Sequence, residues 1–162
     1  MPISLYRIDD RLIHGQVVVG WGKPLDLGFI LLVDDDVATC DWEQELYRMG
    51  VPPNVEVIFA TVADAQALHD KYVQDPRHGI MLTGSAQTML RFIEGVPSVP
   101  AVNVGGIHHR VDRVQKLQYV FLNPDEEDAL RAIESHGVTV TAQDVPSTRP
   151  VPLVDIIRGQ EG

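Results

Sequence analysis

The chain has 162 residues, 44% of them hydrophobic and 22% charged, with a formal net charge of −10 at pH 7. That length suits one ordinary domain whose core needs no disulfide or metal staples, so residues 1–162 are expected to form a single domain. The acidic balance argues against non-specific binding to nucleic acid or anionic membrane over the whole surface, and no apolar run is long enough to span a bilayer.

The first apolar run, ISLYRI, reads as a strand. It is broken by Arg7, Asp9, Asp10 and Arg11, so a secretory signal is not expected. The next segment, GQVVVGWGK, has three valines that favour a strand. A strand there would leave no crossover between the first two parallel strands, so topology predicts a short helix starting near His14 or Gly15. FILLVD, VEVIFA, GIMLTG, PAVNVGG, QYVFLN and VTVTAQ read as further strands, several with the continuous apolar character of a sheet buried on both faces. TCDWEQELYRMG, TVADAQALHDKYVQD, SAQTMLRFIEGV and NPDEEDALRAIESHG lie between them and read as helices, the last capped by Asn123 and stopped at Gly137. The alternation predicts a three-layer αβα fold with a mostly parallel central sheet of about six to seven strands. After the proline-rich stretch, Leu153 to Ile157 is expected to dock as a final helical turn, with the rest of the tail frayed. Cys40, the single cysteine, has no cationic neighbour and is expected to pack as a small hydrophobe in a reducing, cytoplasmic setting.

The loop RIDDRLIHGQV, residues 7–17, carries more chemistry than a turn needs. In open α/β sheets ligands bind beyond the carboxyl ends of strands, where helix N-termini offer free N–H groups to anions. Arg11 adds a bidentate donor suited to phosphate, and the unprotonated nitrogen of His14 is a competent nucleophile toward phosphorus. Asp9 or Asp10 could orient the ring or hold the arginine.

This string, just after the first strand, resembles the active-site loop of the IIB subunits of the mannose/fructose/sorbose family of the bacterial phosphoenolpyruvate-dependent sugar phosphotransferase system. FILLVDDDVA, VPPNVEVIFATVADA, PAVNVGGIHHR and NPDEEDALRAIESHGVTVTAQDVPS resemble later segments of that family in the same order. The resemblance implies a relay: a phosphohistidine on a IIA partner phosphorylates His14, and phospho-His14 passes the group to a sugar carried by the membrane subunits IIC and IID. It implies a protein-N(pi)-phosphohistidine-sugar phosphotransferase in the cytoplasm, held at the inner face of the membrane by its partners, with a homodimer as a reasonable state. Arg11 and Asp9 flank the reacting ring in this reading, and Asp10, Gly15 and Ser85 are the expected phosphate-binding positions. No metal or organic cofactor is expected, because phosphoryl transfer mainly requires positioning and charge neutralisation. A regulatory module that keeps the fold and takes phosphate without sugar transport is the alternative.

TGSAQT departs from the turn that many members carry after the fourth strand, and His108 and His109 match no family role. Arg-His-Gly within PRHGI echoes a histidine phosphatase motif, but it precedes a strand, so an exposed loop is expected. Adjacent histidines in an extended segment point in different directions, which disfavours a zinc site built from His14, His108 and His109. Gly105 and Gly106 lack the spacing of a dinucleotide loop.

Overall fold

The computed structural model describes residues 3–159. A seven-stranded sheet forms its centre, in the order β3-β2-β4-β1-β5-β8-β9. Its strands are β1 (Ile3–Ile8), β2 (Leu27–Val33), β3 (Glu56–Ala60), β4 (His78–Thr83), β5 (Ala101–Val104), β8 (Thr139–Ala142) and β9 (Val151–Pro152). All neighbours pair in parallel except β8 and β9, so the expected mostly parallel three-layer fold is what the chain adopts. Side chains alternate along β2: Phe29, Leu31 and Val33 enter one core, and Ile30 and Leu32 the other. That alternation, with apolar residues at both phases, buries the sheet on both faces.

Helices α3 (Val62–Val73), α4 (Ala86–Glu94), α5 (Pro124–Ser135) and α6 (Leu153–Arg158) supply buried residues to the larger core, among them Tyr72, Phe92, Leu130 and Ile156. The smaller core, on the other face, is closed by Val17 and Trp21 together with Tyr47 from α2 (Asp41–Met49). α5 starts with a capping box in which Asn123 accepts from Glu126 N at 2.8 Å and Glu126 Oε1 accepts from Asn123 N at 2.8 Å. Gly137, just beyond its end, has φ +83°, a conformation that favours glycine. α6 occupies the segment expected to dock as the last helical turn; of the tail expected to fray, residues 160–162 lie outside the described residues.

Two segments refine the sequence reading. GQVVVGWGK is helical, as topology required, but it opens as a π-helix over Gln16–Trp21 before tightening into α1 (Gly22–Leu25). Gly22 N reaches back to Val17 O, and the wide turn buries Val17 and Trp21 together. QYVFLN is extended, yet it stands outside the main sheet. Its β7 (Val120–Leu122) forms an antiparallel pair with β6 (Val114–Leu117), because only two residues separate them and a hairpin closes locally. The seventh place in the central sheet falls to β9, a two-residue strand from the proline-rich stretch.

The order of strands positions the site. β1 lies between β4 and β5, and the chain turns outward on one side of it through β2 and β3 and on the other through β5 and β8. The loops after β1, β4 and β5 therefore meet at the point where the winding changes direction, where such sheets bind ligands.

Candidate functional site

Backbone hydrogen bonds tie the three loops together. Asp9 N donates to Thr83 O at 2.9 Å, Gly105 N to Ile8 O at 2.7 Å and Asp10 N to Gly106 O at 2.9 Å. The opening loop then doubles back: Leu12 N donates to Asp9 O at 2.9 Å, and Leu12 takes φ +59°, a left-handed conformation uncommon outside glycine. What holds it there is burial, since Leu12 sits in the smaller core with its side chain against Gly84. The turn aims His14 back over β1.

Arg7 and Asp9 share one face of the strand at period 2, and both are fully buried. A charge taken so far from water must be paired and hydrogen-bonded. Arg7 Nη2 contacts Asp9 Oδ2 at 3.2 Å and donates to Gln16 Oε1 at 3.0 Å and Asp144 O at 3.2 Å; Nη1 donates to Gln143 O at 2.8 Å and to Asn103 Oδ1. Its guanidinium carbon lies 5.3 Å from the centre of the Trp21 ring. Gly105 is required beside it, because a Cβ there would run into the guanidinium. Burial lowers the pKa of Arg7, and Asp9 opposes that shift.

Asp9 holds His14. Its Oδ2 lies at ion-pair distance, 3.0 Å, from His14 Nε2, a buried nitrogen with no aligned hydrogen bond, while the His14 side chain as a whole keeps 16% exposure. Asp9 Oδ1 accepts from Arg11 N at 3.2 Å. Burial pushes the Asp9 carboxyl up, but contact with His14, the Arg7 charge and the Arg11 N–H outweigh it, and its pKa falls below the ordinary value. Asp9 is thus a carboxylate that favours a proton on the Nε2 facing it, leaving the lone pair on Nδ1.

The other expected residues fall as follows. Arg11 is exposed, and no carboxylate among the described residues pairs with its guanidinium. Gly15 is the N-cap of the π-helix and stands in open space, with no heavy atom near where a Cβ would stand. Ser85 caps α4: its hydroxyl accepts from Thr88 N at 3.1 Å and donates to Thr88 Oγ1 at 3.0 Å. Asp10 turns away from His14 toward the β5 loop. Its Oδ2 accepts from His108 N at 2.8 Å, and its Oδ1 lies 2.5 Å from His108 Nδ1. Arg113 braces that loop, donating to His108 O at 2.8 Å and forking onto Glu126. His109 is set apart, edge-on to Phe121 at 5.6 Å. Arg77 of PRHGI is tied to Asp75 and Glu56.

The fold and the loops at its carboxyl edge define a class: a doubly wound α/β protein whose functional groups gather where β1, β4 and β5 end. Within that class the chain belongs to the PTS system sorbose subfamily IIB components, whose family model matches residues 3–161. It is 32% identical to the PTS system sorbose-specific EIIB component of Klebsiella pneumoniae over 97% of this chain and 96% of that protein. It is 28% identical to the PTS system mannose-specific EIIAB component of Escherichia coli K12, of which it spans 49%. The crystal structure of the IIBSor domain of the Klebsiella pneumoniae sorbose permease superposes with a TM-score of 0.88 at 28% identity, covering 99% of both chains. IIB components of this system are sugar-specific phosphotransferase subunits, and no helix among the described residues is long and apolar enough to cross a membrane.

Proposed function

We propose that the chain is a cytoplasmic phosphocarrier that takes a phosphoryl group on His14 from a phosphohistidine of a IIA partner and hands it to a sugar held by the membrane subunits IIC and IID. The observation that carries this reading is the Asp9–His14 pair. A buried carboxylate 3.0 Å from Nε2 leaves Nδ1 as the nitrogen with a free lone pair on the accessible side of the ring. Nδ1 attacks phosphorus in line with the departing nitrogen of the donor. Asp9 stabilises the positive charge that develops on His14 as the new N–P bond forms. Arg11 closes on the phosphoryl oxygens and neutralises them, a role its exposed guanidinium, which has no ion pair among the described residues, can take freely. Gly15 adds backbone beside them with no side chain in the way. The fused EIIAB relative supports a IIA domain as the donor.

Incubating the purified chain with a phosphorylated IIA protein, then mapping the acid-labile label by mass spectrometry and 31P NMR, tests this. Phosphate on Nδ1 of His14 is the expected result. Label on Nε2, or on any other residue, overturns the assignment.

A further inference from the structure

In the relay through His14, which this inference takes as its basis, one proton has no acceptor. Transfer from a donor nitrogen to Nδ1 of His14 displaces no proton, because Nδ1 carries a lone pair. Transfer from phospho-His14 to a sugar is different: the attacking hydroxyl must lose its hydrogen as the O–P bond forms. Asp9 cannot take it, being buried and spent on Arg7 and His14.

His108 has the geometry to do so. Asp10 grips it twice, through its backbone N–H and through Nδ1, the latter at 2.5 Å. A carboxylate on Nδ1 fixes the tautomer with the hydrogen on that nitrogen and the lone pair on Nε2. No group among the described residues is bonded to Nε2, and the side chain is 51% exposed. The ring is also close to His14's support. A Cβ placed on Gly106 would lie 3.2 Å from His108 Cε1 and 3.7 Å from Asp9 Oδ1, so one glycine separates the two Asp–His pairs. A larger residue at that position would push the His108 ring outward.

We propose that His108 is the general base for the sugar hydroxyl in the second transfer, with Asp10 as its positioning residue. The hydroxyl oxygen attacks phosphorus, and its proton moves to His108 Nε2. The P–Nδ1 bond breaks with its electron pair returning to His14, and the imidazolium of His108 then releases the proton to water. The charged groups facing His108 are Asp10, Arg113 on its carbonyl and 3.8 Å from Asp10, and Asp9 across Gly106.

The inference rests on the carrier reading, and one experiment separates the two. Wild type and His108→Gln are charged with phosphoramidate, then mixed with membrane vesicles that carry IIC and IID subunits and a panel of hexoses that includes sorbose and mannose. Charging of His14 is expected to agree within about threefold, while discharge to sugar falls by at least about 100-fold, the lower end of general-base contributions. The wild-type rise of discharge rate with pH should flatten in His108→Gln, and Asp10→Asn should fall between the two. Discharge of His108→Gln within about threefold of wild type overturns the inference. So does loss of charging and discharge together in His108→Gln while Asp10→Asn behaves as wild type, which marks a structural role. Wild type that takes no label on His14, or passes it to no sugar, breaks the carrier reading itself, and the inference falls with it.

Discussion

Two consecutive aspartates each hold a histidine, and they do so in opposite senses. Asp9 is buried and faces Nε2 of His14, five residues on; Asp10 is partly exposed and holds Nδ1 of His108, 98 residues on. The first pair is anchored from beneath by Arg7, the second from the side by Arg113 and Glu126. In each pair the nitrogen left open is the one that the aspartate does not touch. Asp9 sits just past the end of β1 and Asp10 in the turn that follows, so their side chains leave the backbone in different directions. One dipeptide can therefore serve two imidazoles with different free nitrogens.

The contrast can be broken most sharply at His14 itself. His14→Ala should lose phosphoryl acceptance completely while circular dichroism and the melting profile stay close to wild type; label retained in that variant sinks the assignment. Next in size is Asp9→Asn, which leaves the buried Arg7 without its carboxylate. Breaking a buried pair costs about 3–5 kcal/mol, measurable as a lower urea midpoint. The same variant has a pH signature. Asp9 has a folded-state pKa below its unfolded value, so its contribution is fully present above about pH 4 and fades as pH falls through the folded value. The gap in stability between wild type and Asp9→Asn should therefore close in acid.

Asn123→Ala probes the brace of the second pair. It removes half of the capping box that fixes Glu126, the partner of Arg113, and should cost about 1 kcal/mol by urea denaturation. Smallest is Asp10→Asn. Its pairing with His108 is half in solvent, so stability should move by no more than about 1 kcal/mol, and the NMR signals of the His108 ring should change more than those of His14. A loss of several kcal/mol in Asp10→Asn would erase the distinction between the pairs.

How legible this was in the chain depended on distance along it. β2, α3 and α5 could be read because periodicity and caps are local, and the opening loop because its groups lie within a few residues of one another. The helix after His14 was expected on topological grounds, but not its π opening, since no local signal separates it from an ordinary turn of helix. Arg7 read along the chain only as a break in the first apolar run, although a charged residue at period 2 from Asp9, and the lone polar Asn103 in the apolar strand AVNV, were the available signs of a buried polar cluster. The Asp10–His108 contact could not be seen, because it depends on β1 and β5 being neighbours in the sheet, a property of the assembled topology. QYVFLN read correctly as extended, but which partner a strand takes is not written within it.

The guanidinium beneath His14 also joins the two ends of the chain's history. Arg7 is emitted early, yet its carbonyl partners at Gln143 and Asp144 follow 136 and 137 residues later. A nascent chain that has folded β1, β4 and β5 has the Asp9 carboxylate that pairs with this cation but still lacks two of the carbonyls that accept its hydrogen bonds in the interior. The loop that bears His14 is therefore finished last, when the segment after β8 comes home, and a chain truncated before Gln143 should keep much of its sheet while losing the order of its opening loop.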